Sequence, residues 1–515
     1  MGETEKLDWS TIDKKARGMI MLGLAMGMLL AILDGTIVST SLPSIVADLG
    51  GSDLYSWVFT GFMLCETVMI PISGKLSDLY GRKPLFLIGI AVFMTGSILS
   101  GLCGSMAQLI VFRAIQGIGG GMLIPVATAA VADLYSPAER GKMQGMLGSL
   151  FAVAMCLGPF LGGYITDNIS WHWVFFINVP LGLLALFLTA KKFPKQEHIE
   201  GIKIDYIGIA LLSAFLLVFL LFFTWAGVDF PWVSAESFIM IAASLGLLAL
   251  FIWNEFKAPE PVLKPALFKN KAFVQCAIIM LIFGMGMMGI MAYLPAFMQL
   301  VVGMSATNSG VVVLPLVIGM MITSMTSGFT VKKTGYRPWL IAGPIISSLG
   351  MFLLSTLDMA SETSTALFYL FITGVGLGCV MSVVMIAAQN SAKRNEMGMT
   401  TSSVNLFRSI GSTVAVGIFT TLINGKIAVE LQVLPPEIYD IIPHTIGVLD
   451  YIKVYPTHAL DIINAYGNSV TYAFLIAAVI VLLVLVVAIF VKGKPPEIIE
   501  MSEDKDEEDG AANGV

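Results

Sequence analysis

Gly74-Lys75-Leu76-Ser77-Asp78-Leu79-Tyr80-Gly81-Arg82-Lys83-Pro84 is a charged stretch between two long apolar runs, and it reads as a loop joining them. Its skeleton returns 254 positions later as Gly328-Phe329-Thr330-Val331-Lys332-Lys333-Thr334-Gly335-Tyr336-Arg337-Pro338. Both copies read glycine, six residues, glycine, one residue, a base, proline. Each follows one apolar run and precedes another, so duplication explains the pair better than chance does. Internal repeats are a signature of transporters. The chain therefore reads as two related halves with something extra between them.

Working outward, the composition names the solvent. Hydrophobic residues make up 57% of the chain, charged residues only 12%, and the mean hydropathy is +0.86. A soluble domain carries about 25% charge, so this is a polytopic membrane protein. The net charge of −6 owes much to the acidic segment 497–509 and marks no partner; no basic patch points to nucleic acid. Cys65, Cys103, Cys156, Cys276 and Cys379 lie in or beside apolar runs without a CxxC pair and read as packing residues. Gly117-Ile118-Gly119-Gly120-Gly121 lacks the Lys-Ser/Thr that follows a phosphate-cradling loop. With no triad and no metal cluster either, an enzyme is excluded, and no cofactor or metal is expected.

A membrane span needs about 20 apolar residues. Fourteen runs qualify, from 18–42 to 469–491, including 143–165 and 401–424. An even count puts both termini on one side. With that side cytoplasmic, all but four of the 29 Lys and Arg fall in inner loops or tails, as the positive-inside rule asks. The repeat offset pairs span 2 with span 10, which leaves spans 7 and 8 as an inserted pair. The organisation expected is all-α, with two six-helix bundles at 1–190 and 272–492 and linkers plus the inserted helices at 191–271. A long outer loop occupies 425–468, and an acidic tail without fixed structure follows at 493–515.

Charges within spans are costly, about 2.5–3.5 kcal/mol each on insertion scales, and usually face a cavity or a partner. Here they are Asp34, Glu66, Arg113 and Arg408. Asp34 and Arg113 lie at similar depth and can meet, either as a protonatable carboxylate tuned by a guanidinium or as a permanent ion pair. Glu66 is a second proton-coupling candidate or a bonding partner for a neighbouring helix. Arg408 has no obvious acid within the spans of its own half and reads as contacting carbonyls or snorkelling to the inner surface. The stretch 145–163, ending Gly158-Pro159-Phe160-Leu161-Gly162-Gly163, reads as tight packing or as a bendable helix at the interface between halves.

These residues resemble the major facilitator superfamily, specifically its fourteen-helix drug/proton antiporters. The loop 74–84 is similar to the family's loop between helices 2 and 3, and 109–119, with Arg113, is similar to its helix 4 motif. Residues 145–163 look like the helix 5 antiporter motif, with Ala154 where glycine is expected. Leu33-Asp34-Gly35-Thr36-Ile37-Val38 resembles the helix 1 motif, with Ser39 where asparagine is usual. The stretch 171–180 is also similar, with His172 in place of arginine. The resemblance implies that Arg113 takes part in proton transfer and that Asp34 binds protons or cationic substrate. It implies that Asp78 faces the start of span 13, near Thr401, and that Arg82 pairs with Asp133 at the inner end of span 4. Gly74, Asp78, Gly81, Arg82 and Asp133 would form a gate; Gly158, Pro159, Gly162 and Gly163 would carry the antiporter motif. The function expected is proton-coupled efflux of amphipathic, cationic compounds by a monomer in the plasma membrane, its partners being small-molecule substrate, protons and the bilayer. The alternatives are another proton-linked or facilitative transporter and, in a different class, a non-transporting sensor or scaffold.

Overall fold

The computed structural model describes residues 13–50, 54, 57–135, 137–193, 204–227, 229–304, 312–393, 396–433 and 456–491. The expected tail 493–515 lies outside them, as does much of the expected loop 425–468. Backbone polar groups in hydrocarbon must be satisfied within the chain, and among the described residues the elements are all helical. They are α1 (Lys14–Leu49), α2 (Trp57–Tyr80), α3 (Arg82–Gly101), α4 (Met106–Leu134), α5 (Pro137–Asn168), α6 (Trp173–Phe176), α7 (Asn178–Lys192), α8 (Tyr206–Trp225) and α9 (Ala235–Glu255). After these come α10 (Lys271–Met291), α11 (Leu294–Leu300), α12 (Leu314–Thr334), α13 (Arg337–Leu354), α14 (Thr363–Asn390), α15 (Met397–Glu430), α16 (Ala459–Leu482) and α17 (Val484–Ala488). Among the described residues, thirteen spans are long and apolar enough to cross a membrane. The expected run 143–165 lies within α5, not all of whose residues are described, and is not among the thirteen.

The duplication reappears as packing. α2 packs on α4 as α12 packs on α14, α3 on α4 as α13 on α14, and α1 on α7 as α10 on α16. Buried apolar side chains form one large cluster, mostly from α8 onward, and two smaller ones from the helices before it. Across the two sets, α2 packs on α15 and α5 on α12.

The opening stretch is not a loop of eleven residues. α2 runs to Tyr80 and α3 starts at Arg82, so Gly81 alone separates them, with φ 88°. Between α12, which ends at Thr334, and α13, which starts at Arg337, stand Gly335, with φ 76°, and Tyr336. Only glycine adopts that backbone without strain, which explains the second glycine of each copy. The first glycine meets the other set of helices. A Cβ at Gly74 would fall on Ser402 of α15, and one at Gly328 on the carbonyl of Gly141 of α5.

Several helices overrun the apolar runs that announced them, α15 and α16 among them. α15 starts at Met397 rather than 401 and continues to Glu430, and α16 starts at Ala459 rather than 469. The extra turns are polar and hold each other: Lys426 pairs with Glu430 at 2.8 Å, and Asn468 Nδ2 donates to Glu430 at 3.2 Å. Hydropathy cannot see a helix that continues past the hydrocarbon.

Candidate functional site

Asp34 lies in α1, fully buried, where α3, α4 and α7 converge. Its Oδ2 pairs with Nη1 of Arg113, also fully buried, and its Oδ1 accepts from Gln116 Nε2 at 2.8 Å and Asn178 Nδ2 at 2.9 Å. Gln116 stands three residues after Arg113 on one face of α4, and its Oε1 accepts from the same Nη1 at 2.8 Å. Asn178 opens α7, just past the short α6, which places its side chain beside Asp34. It also donates to Ser97 Oγ at 2.9 Å, and Ser97 donates to the carbonyl of Phe175 at 2.8 Å. The Arg113 guanidinium lies 4.2 Å from the ring centre of Phe62. A desolvated cation over an aromatic face gains about 2 kcal/mol. Arg113 Nε and Nη2 and Asn178 Oδ1 find no hydrogen-bond partner among the described residues.

Glu66 sits lower on α2 and is only partly buried. Arg408 of α15, Arg113 and Asp34 are the charges that reach it. One residue further along each helix, Thr67 and Ser409 share a 2.7 Å hydrogen bond. That bond sets Glu66 and Arg408 on adjoining positions of the seam between α2 and α15. No sequence spacing announced that approach, because the two helices are far apart in the chain. Gln116, Asn178 and Ser97 also escaped the reading of charges, being neutral; an amide in the middle of an apolar run was the available signal.

At the end of α2 the two helix sets are joined. Asp78 Oδ1 accepts from the N–H of Gly398 at 2.8 Å and Oδ2 from that of Met399 at 2.7 Å. These are orphan amides at the start of α15, where a carboxylate is favoured. Arg82 holds that carboxylate from behind, with Nη2 on Asp78 at 2.6 Å, Nε on Asp133 at 2.8 Å and Nη1 on Ser77 Oγ at 2.5 Å. The repeat position equivalent to Asp78 is Lys332, which is exposed, so the carboxylate of the clasp is not repeated there. On the other side the join is made by backbone and amides, with Arg140 Nη1 donating to Asn390 Oδ1 at 3.4 Å. Gly141 rests on Gly328 and Gly145 on Ser324, and Gln144 Nε2 donates to Gln389 Oε1 at 3.2 Å. Above this join lies a small cavity lined by Met28, Met280, Met381 and Met385 with Gln144, Ser382 and Asn405. Thioether side chains make such a wall adaptable.

The glycine stretch of α5 divides in two. Its first part meets α12, but Gly158 rests on Thr36 and Gly162 on Thr40, both on α1 in the same set of helices. Gly163 meets nothing within 4 Å, and the side chain of Pro159 lies outside the described residues. The later glycines thus let α1 and α5 touch; they do not face the other set.

Two repeat-related sets of membrane helices, with ionisable groups buried inside and a polar join between the sets at one end, define a secondary transporter. Residues 24–416 match the Major Facilitator Superfamily, and the chain belongs to it. The protein is accordingly a multi-pass transporter of the cell membrane, not an enzyme. It is 38% identical over 410 residues to the multidrug transporter protein MdtP of Bacillus subtilis, covering 80% of this chain and 76% of that one. It is 35% identical over 517 residues to multidrug resistance protein 3 of the same organism, covering 96% and 99%. Among solved structures, the proton:xylose symporter XylE bound to 6-bromo-6-deoxy-D-glucose superposes with a TM-score of 0.62 at 14% identity, covering 94% of this chain and 98% of that chain. The human organic anion transporter MFSD10 superposes at 0.59 and 16% identity, covering 90% and 99%. At such identities the likeness is one of fold.

Proposed function

We propose that this protein is a proton-coupled multidrug efflux antiporter for amphipathic, cationic compounds, working as a monomer by alternating access. Its fourteen spans leave both termini in the cytoplasm, with six-helix bundles at 1–190 and 272–492 and the inserted pair between. The end of α2 then faces the cytoplasm, and the join there is the inner gate. The observation that carries the reading is the division of labour between two intramembrane acids. Asp34 is sealed among three donors, while Glu66 is partly open and lies between the two helix sets. A site holding negative charge within an apolar wall suits a cation with an apolar body. Proton arrival from outside neutralises that charge and releases the cargo. Each positive charge moving inward then gains about 2.3 kcal/mol per 100 mV of membrane potential. The multidrug names of the two Bacillus relatives support export as the direction.

The test is transport in proteoliposomes under an imposed pH gradient with an amphipathic dye cation. The parent should accumulate dye against its gradient, and Asp34→Asn and Glu66→Gln should each abolish uphill transport, with dye counterflow kept in at least one. Uphill transport at the parent rate in both variants would sink the reading.

A further inference from the structure

The inserted pair has no counterpart in the duplicated halves, and its contacts give it a task. α8 packs on both α2 and α15, the two helices whose ends the Asp78 clasp joins. Near one end of α8, the ring of Trp225 meets that of Trp57, at the start of α2, with centres 5.9 Å apart. Trp232, just past α8, donates from Nε1 to Thr421 of α15 at 2.8 Å, and the carbonyl of Phe223 leaves no room for a Cβ at Gly417 of α15. So α8 is fastened to both sides of one seam.

The segment leaving α9 does the same at the gate. It is folded back by Glu255, whose carboxylate accepts from the N–H of Val262 at 3.4 Å and of Leu263 at 2.8 Å. Val262, Leu263 and Leu267 are buried. From this anchored turn two ion pairs reach in opposite directions. Glu260 takes Lys75 of α2 at 2.6 Å, three residues before Asp78 in the chain. Lys264 takes Glu396 at 2.9 Å, and its own N–H points to Met399 Sδ at 3.4 Å. Glu396 immediately precedes α15, and Met399 is one of the residues whose amide binds Asp78. One short, rigidly held segment therefore grips both partners of the clasp. Lys75 is buried, so its ammonium has little water to return to when the pair breaks.

We propose that the inserted pair and its exit segment 255–264 act as a strap that holds the inner gate shut. When the two helix sets rock apart, the Lys75–Glu260 and Lys264–Glu396 pairs part while α8 stays fastened by its aromatic end. The strap sets how often the gate opens, independently of proton binding. It rests on the alternating-access part of the proposed function, but not on the identity of the coupling acid.

The full-length protein carrying one reporter cysteine, Met385→Cys, in an otherwise cysteine-free background tests this. Met385 lines the cavity behind the gate. Labelling by a membrane-impermeant maleimide in inside-out vesicles reads gate opening. Glu260→Lys and Lys75→Glu should each raise the labelling rate about fivefold or more, and the charge-swapped double variant should return it near the parent value. Unchanged labelling in both single variants, or a double variant as open as the singles, overturns the strap. Should Lys75→Glu fail to fold, Glu260→Ala, at a partly exposed side chain, gives the same decision. If efflux proves not to be driven by a pH gradient, the labelling still decides, since it reads opening rather than coupling.

Discussion

Asp78 Oδ2 accepts a 2.7 Å hydrogen bond from the backbone N–H of Met399, 321 residues further along the chain. With the Gly398 amide on Oδ1, both oxygens are spent on one helix start in the other set of helices. Hydrogen bonds to a charged group are worth about 1.5–3 kcal/mol each. Asp78→Ala should therefore shift the gate equilibrium toward open by about tenfold or more, and Asp78→Asn by less, since one acceptor survives. Maleimide labelling behind the gate would show it, with efflux slowed in the same order. Equal labelling in parent and Asp78→Ala would reduce the clasp to a topological marker.

Removing one partner of a buried ion pair costs about 3–5 kcal/mol, because the other charge is left unpaired. Arg113→Ala should thus lower the unfolding temperature of the purified protein far more than the double variant Asp34→Asn with Arg113→Gln. Asn178→Ala, which leaves Arg113 and Gln116 in place on Asp34, should fall between the parent and Arg113→Ala. If the double variant is as unstable as Arg113→Ala, the loss comes from packing beneath Phe62 and not from charge.

What the chain disclosed and what it hid follow from range. Gly81 and Gly335 were legible because a positive φ needs glycine locally, and Asp34 with Arg113 because depth along two helices can be counted. That Arg408 and Glu66 lie along one seam was not legible: α2 and α15 are far apart in the chain, and no periodicity connects them. The region 191–271 reads as linkers around the inserted helices, yet Val262, Leu263 and Leu267 within it are core residues. Local composition records turns but not what they lean on. The later α5 glycines looked like an interface between halves because glycine marks a close approach without naming the helix that approaches.

That ambiguity gives a paired test. A Cβ at Gly141 would run into the Gly328 carbonyl across the gate, whereas Gly163 has nothing within 4 Å. Gly141→Ala should wedge the gate, raising labelling behind it and slowing efflux several-fold, with folding intact. Gly163→Ala should leave labelling and efflux at the parent level, and its lower backbone entropy cost should keep stability equal or raise it by about 0.5–1 kcal/mol. Similar efflux in the two variants would mean that α5 and α12 do not need to meet so closely in the working cycle.

Glu66 and Arg408 bring the last prediction, which concerns sign. A unit charge roughly 8–10 Å from a bound cation contributes about 1.5–2 kcal/mol at the effective dielectric of a partly open site, or roughly tenfold in affinity. Glu66→Gln should weaken binding of a monovalent amphipathic cation by about that factor. Arg408→Gln, which removes a competing positive charge from the same seam, should strengthen it by a similar factor. Binding followed by quenching of tryptophan fluorescence, at one fixed pH and without a gradient, separates this from coupling. Adding salt should shrink both effects only modestly, since pairs away from bulk water are weakly screened. If neutralising the glutamate and neutralising the arginine move affinity in the same direction, the two side chains matter through shape, and the cargo does not sense their charge.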